Sequence, residues 1–278
     1  MLRAALIQLN VSDDPSANLP LTESLIREAA GQGAGLVLTP ENTNCLSQDR
    51  AWQEQVLRHE RDDPTLAALR ALARELSVWL LIGSLGVKTD SPDGRFANRS
   101  FMLSPEGGVV ARYDKIHMFD VQLSPRETFR ESAAYRPGAR AVLARTAPAD
   151  VGMTICYDLR FPRLFRRLAR SGAQIIAVPA AFSPLTGEAH WHVLLRARAI
   201  ETGCFVLAPA QSGEHPISHG TPRRTYGHSL AVNPWGEVLA DAGEGPGVTL
   251  VDLDLAEVRR ARRRLPVLEH ERDFEGPR

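Results

Sequence analysis

The chain of 278 residues is nearly free of lysine: 31 of its 33 basic side chains are arginine, and only Lys88 and Lys115 are lysine. Cysteine is equally sparse, with Cys45, Cys156 and Cys204 far apart in the sequence. An odd number at that spacing excludes a disulfide framework or a Cys-rich zinc site. Neither charge is in excess, since 33 acidic residues balance the basic ones. That balance argues against nucleic-acid binding, which draws on clustered Lys and Arg. No apolar run approaches the roughly 18–20 residues that cross a bilayer. The opening MLRAALIQLN lacks the basic head and small-residue cleavage site of a signal peptide. The expectation is a cytoplasmic protein with neither membrane nor nucleic-acid partner. With 44% hydrophobic residues the chain can bury a sizeable core, and disorder is not expected.

Short apolar runs alternate with helical patterns. Strands are predicted at 4–9, 35–39, 78–84, 151–155, 175–178 and 204–208. Helices are predicted at about 18–30, 64–77, 161–170 and 189–202. This alternation predicts an α/β layered fold. Two internal echoes refine it. GAGLVLTP (33–40) resembles GAQIIAVP (172–179), and SFMLSPEGGVVA (100–111) resembles SLAVNPWGEVLA (229–240). Together they predict a pseudo-symmetric two-sheet sandwich, although Pro-x-Gly turn chemistry alone produces some such likeness. Residues 1–265 read as one domain. The polar tail, 266–278, is placed at a subunit interface.

Three residues attract attention on chemical grounds. Cys156, in VGMTICYDLRFP, ends an apolar strand just before a helix start, where backbone dipoles favour a thiolate and α/β active sites open. The alternative is a small buried hydrophobe. Glu41, in LVLTPENTN, occupies the equivalent strand end; the alternative is a solvated loop acid or a helix cap. Lys115, in ARYDKIHMF, stands out because the chain otherwise uses Arg, and an ammonium is a compact point charge rather than a planar fork. The alternative is a surface lysine on an edge strand. Spacing alone does not show that the three converge.

The motifs TPEN, YDKIHMFD and ICYDLRFP, in that order, resemble those of the nitrilase superfamily of carbon–nitrogen hydrolases, and the likeness covers essentially the whole chain. The resemblance implies an α-β-β-α four-layer sandwich, pseudo-two-fold and dimeric. It implies Glu41 as general base, Lys115 as the cation of the tetrahedral intermediate, Cys156 as nucleophile, and Glu131 of FRES (129–132) as the partner of Lys115. The implied reaction hydrolyses a small linear amide to a carboxylate and ammonia through a thioester, with the Tyr157 N–H as a second oxyanion donor. LTGEAHWHVLLRARAIETGCFVLAPAQ (185–211), RTYGHSLAVNPWG (224–236) and LPVLEHER look most like the deaminated glutathione amidase branch, whose neighbours are ω-amidases acting on α-ketoglutaramate. The loop 211–225 does not match that branch. Nitrile, carbamoyl and acyl-transfer reactions, or a non-catalytic binding role, are the remaining alternatives. No cofactor or metal is expected, and the partner is a small-molecule amide.

Tyr157, Arg160, Phe182 and Trp191 are further candidates for substrate contact, with core packing the alternative for Trp191. His190 and His192 sit two apart on a helix and face different ways, unlike i, i+4 zinc ligands. His215 and His219 read as solvated loop residues, and Arg196, Arg198 and Glu201 as an ion-pair set. Arg223 and Arg224 read as solvated, with contact to a substrate carboxylate as the alternative.

Overall fold

The computed structural model describes residues 1–124 and 127–277. Twelve of its sixteen described strands form two six-stranded sheets with one shared plan. In the first, Leu2–Gln8, Leu36–Leu38 and Trp79–Val87 run parallel. An antiparallel strand, Gly247–Leu253, borders one side, and the hairpin Ala97–Leu103/Val109–Asp114 borders the other. In the second, Asp150–Met153, Ile175–Ala177 and Phe205–Ala208 run parallel. Val142–Arg145 borders one side, and the hairpin Leu230–Val232/Val238–Asp241 the other.

The sequence echoes occupy matching places in this plan. The 33–40 and 172–179 segments supply the middle parallel strand of each sheet. The 100–111 and 229–240 segments supply the two bordering hairpins. At each hairpin turn a glycine, Gly107 (φ +76°) or Gly236 (φ +87°), takes the left-handed conformation that a residue without Cβ reaches freely.

Strand periodicity sets the layers. Ala4 and Leu6 face the space between the sheets, where they join Leu81, Met153 and Ile175. Ala5 and Ile7 point the other way, toward the helices Pro15–Gly31 and Pro64–Leu76, through Leu25, Ile26, Leu69 and Leu72. On the second sheet, Pro162–Arg170 and Pro184–Thr202 supply Phe165, Leu168, Trp191 and Leu195 to the core. The result is the expected α-β-β-α sandwich. Helix starts follow capping rules: Asp14 accepts from Ser16 N at 2.9 Å, Asp63 accepts from Leu66 N at 2.8 Å, and a proline opens each helix. The last long helix begins at Pro184, ahead of the predicted 189, because the buried residues of its first turn, Thr186 and Gly187, are polar or small and add nothing to an apolar spacing.

In the described part of the tail, Leu268 packs on the core and Glu271 meets Arg166 at 3.1 Å and Arg170 at 2.6 Å. Beyond it the tail is exposed. No described helix is long and apolar enough to cross a membrane.

Candidate active site

The ends of the two echoed strands meet. A Cβ on Gly83 would lie 2.4 Å from Pro40 O and 2.5 Å from Pro179 Cβ, so only glycine permits this approach. Pro40 delivers Glu41, and Pro179 O accepts from Cys156 N at 2.9 Å. Cys156 itself has φ +48°, a conformation that costs a non-glycine residue about 1–3 kcal/mol and is tolerated where surroundings over-determine it.

Lys115 follows the edge strand Val109–Asp114, yet only 2% of the residue is exposed. Its Nζ lies 2.8 Å from Glu41 Oε1 and 2.9 Å from both Glu131 carboxylate oxygens. Glu131 is fixed in turn by Phe119 N–H at 2.7 Å. Glu41 Oε2 accepts from Ala181 N–H at 2.9 Å, and Cys156 lines the same cavity as Glu41, Lys115 and Glu131. The four residues therefore converge on one buried point. The bland alternatives, a solvated acid and a surface lysine, do not hold.

Charge at this point is tightly determined. Burial pushes Glu41 upward, but Lys115 outweighs it and holds the carboxyl below the ordinary range. Burial works against the Lys115 ammonium, and the carboxylates of Glu131 and Glu41 overcome it, raising its pKa well above the usual value. Burial and then the Glu41 charge push the Cys156 thiol well up. The expected dipole-favoured thiolate is thus corrected: the resting site holds a thiol, because burial and then the Glu41 carboxylate both disfavour the thiolate.

A cavity of about 260 Å³ opens above these groups, walled by Phe119, Phe129, Tyr157 and Phe182 among others. Of the candidate substrate contacts, Tyr157 and Phe182 line it. Trp191 does not; it is buried behind Phe182, with ring centroids 4.9 Å apart and its indole N–H donated to His228 O. Arg160 also lies outside the lining, with its guanidinium 5.3 Å from the Phe182 ring and 5.8 Å from that of Tyr157.

Several residues here escaped sequence reading. Asn98 donates to Glu41 Oε1 (2.9 Å) and Glu131 Oε1 (3.2 Å), bridging the carboxylates that flank Lys115. Gln211 donates to Glu41 O at 2.9 Å. Asp158 accepts from Ile155 N, Tyr113 Oη and His117 N, tying the cysteine turn to the lysine segment. A polar strand residue such as Asn98 gives no local sign of what it faces.

Arg223 lines the cavity instead of being solvated, donating to Ala181 O at 2.7 Å with its guanidinium 5.6 Å from the Phe129 ring. Arg224 is exposed as expected. The loop that carries them is pinned. His215, expected in solvent, is 3% exposed, with Nδ1 2.7 Å from Val11 O and Nε2 2.7 Å from Thr225 Oγ1. Burial pulls its pKa down to about 4, so it is neutral at pH 7. His219 is partly exposed and stacks on Trp52. Arg198 pairs with Glu201 at 3.1 Å, but Arg196 donates to Gly236 O instead of joining them.

A buried thiol, a buried carboxylate and a carboxylate-held ammonium thus share one cavity of the two-sheet sandwich. Residues 3–263 match the carbon–nitrogen hydrolase family model. The chain is 40% identical over 270 residues to the deaminated glutathione amidase of Yersinia enterocolitica, covering 96% of this chain and 92% of that protein. It is 35% identical over 270 residues to a human omega-amidase, covering 97% and 95%. The crystal structure of the C. elegans NitFhit protein superposes with a TM-score of 0.88 at 32% identity, over 98% of this chain; the match spans 65% of that larger chain. The chain belongs to the carbon–nitrogen hydrolase family. It is a hydrolase of carbon–nitrogen bonds other than peptide bonds.

Proposed function

We propose that the protein is a cysteine-dependent amidase acting on deaminated glutathione or a close analogue, with Cys156, Glu41, Lys115 and Glu131 as its machinery. The observation that carries this reading is the single buried ammonium of Lys115 held between Glu41 and Glu131, with the thiol of Cys156 on the same cavity.

Glu41, ionised beside Lys115, takes the thiol proton as Sγ attacks the amide carbon. The oxyanion that forms is met by Lys115 Nζ and the Tyr157 N–H, donors fixed before the reaction. Glu41 returns the proton to the leaving nitrogen as the C–N bond breaks, leaving an acyl thioester on Cys156. Glu41 next takes a proton from water, whose oxygen attacks the thioester. Collapse expels the sulfur, which regains its proton, and a carboxylate departs. Glu131 keeps Lys115 charged and oriented. It touches no substrate in this scheme.

Arg223 supports a substrate that carries a carboxylate, since its guanidinium presents remaining donors to the cavity. A glutathione derivative has no primary amide, so its leaving group is the amine of the Cys-Gly portion. Ammonia leaves only from a primary amide, the chemistry of an ω-amidase. That second reading draws support from the omega-amidase relative. A cytoplasmic homodimer with the tail 266–278 at the subunit interface, and a single domain over 1–265, belong to the same proposal. Parallel assays of deaminated glutathione and α-ketoglutaramate, with separate detection of released amine and of ammonia, test it. Faster turnover of the first with amine release supports the proposal; turnover of the second alone assigns the ω-amidase reading; turnover of neither overturns both.

A further inference from the structure

Behind the cavity wall, on the outer side of Phe182, two histidines and an aspartate meet. His192 comes from the helix Pro184–Thr202, His228 from the turn before Leu230–Val232, and Asp241 from the end of Val238–Asp241. One ring nitrogen of each histidine and a carboxylate oxygen of Asp241 all lie within 4.8 Å of one another. His192 Nε2 is 2.9 Å from Asp241 Oδ2, and His228 Nδ1 is 2.9 Å from Asp241 Oδ1. Bonds of about 2.0–2.2 Å from a metal to nitrogen or oxygen hold such ligands about 3–4 Å apart, so the three need only small shifts to share one ion.

We propose that His192, His228 and Asp241 form a binding site for a divalent transition-metal ion such as Zn²⁺ or Co²⁺. Two imidazoles with one carboxylate is a donor set suited to these ions, and three protein ligands leave coordination positions open.

The surroundings fix the donors in place. His228 has φ +56°, and its backbone is clamped by its N–H to Gly243 O (2.7 Å) and by Trp191 Nε1 to its carbonyl (2.8 Å). The Tyr226 ring stacks on the His228 imidazole at 4.5 Å and meets His192 edge-on at 6.4 Å. Asp241 Oδ1 also accepts from Gly243 N–H at 2.9 Å. The site joins the cavity wall directly, because Tyr226 N donates to Phe182 O at 2.9 Å and Trp191 packs on Phe182. A metal here ties the long helix, the turn and the hairpin together behind Phe182. It takes no part in the proposed cysteine chemistry.

The test uses the full chain without a histidine tag, stripped of metal by a chelator, in a Cys156→Ala background so that the active-site thiol takes none. Zn²⁺ alone is titrated by calorimetry, and Co²⁺ alone is followed by visible absorption. One ion per chain is expected, with cobalt bands of a nitrogen–oxygen site and a raised melting temperature. His192→Gln and Asp241→Asn, which alter partly exposed side chains, are expected to weaken binding by at least about tenfold. His228→Asn keeps a residue that tolerates positive φ while removing the imidazole. If His228→Asn fails to fold, the other two variants still decide. Absence of stoichiometric binding, a sulfur-to-cobalt charge-transfer band, or affinity unchanged in both His192→Gln and Asp241→Asn overturns the proposal.

Discussion

Asp158 Oδ2 accepts the phenolic hydrogen of Tyr113 at 2.6 Å, and both groups are fully buried. Through this bond the turn that carries Cys156 is fastened to the strand that leads into Lys115. Asp158 also receives the N–H of Ile155, so the sulfur and the ammonium are referenced to one carboxylate. Tyr113→Phe is expected to cost about 1–3 kcal/mol of stability, the range for a buried hydrogen bond to a charged group. It is expected to lower kcat more than it changes KM, because Tyr113 positions other residues and does not line the cavity. Urea denaturation beside steady-state kinetics checks both.

Lys115→Ala removes the cation that separates two buried carboxylates. A loss of about 10²–10³ in rate is expected from the missing oxyanion donor. A destabilisation of roughly 3–5 kcal/mol is expected as well, since one partner of a buried ion pair is left uncompensated. Lys115→Met combined with Glu131→Gln is expected to recover part of the melting temperature and none of the activity, which separates the two effects.

The pH response follows from Glu41, whose carboxyl is held below the ordinary range by Lys115. A depressed carboxyl stabilises the fold fully above its unfolded-state pKa, about 4.3, and that contribution is lost as the pH falls through the lower folded value. Stability from this group is therefore flat at neutral pH and declines only in acid. Thermal melts of wild type and Glu41→Gln from neutral to acid pH are expected to converge as the acid limb is reached. With the thiol pushed up and Glu41 as its proposed proton acceptor, kcat/KM is expected to track the carboxylate, with no rise near the ordinary thiol pKa of about 8.5.

Arg223→Ala is expected to raise KM about 10-fold or more for an amide bearing a carboxylate, in line with about 1.5–3 kcal/mol for a hydrogen bond to a charged group. For an uncharged amide the change is expected to be small. Arg224→Ala, at an exposed position, serves as the control.

Much of the architecture was legible in the sequence because it is repeated. The 33–40 and 172–179 echo marks two middle strands, and the paired hairpins share a proline–glycine turn that forces the same backbone. Lys115 was legible through the scarcity of its type, and Cys156 through a strand that ends in polar residues. Contacts made across the sandwich were not. Asn98 faces Glu41 only because the hairpin Ala97–Leu103/Val109–Asp114 lies beside Trp79–Val87. Arg223 turns inward because His215, ten residues from Thr225, is buried against Val11 in the first half of the chain. His192 has His190 nearby in sequence, whereas its spatial neighbours His228 and Asp241 come from the turn and the hairpin 36 and 49 residues further on. Local pattern carries no information about such distant pairings, and the thiol's raised pKa depends on one of them.

The claim that Cys156 is acylated during turnover is tested most directly by acid-quenching the reacting enzyme and weighing it by intact-protein and peptide mass spectrometry. The expected result is a thioester adduct with the mass of the acyl portion on the peptide that contains Cys156, absent from Cys156→Ala, which is inactive. Full turnover by Cys156→Ala, or an adduct on any other residue, contradicts it.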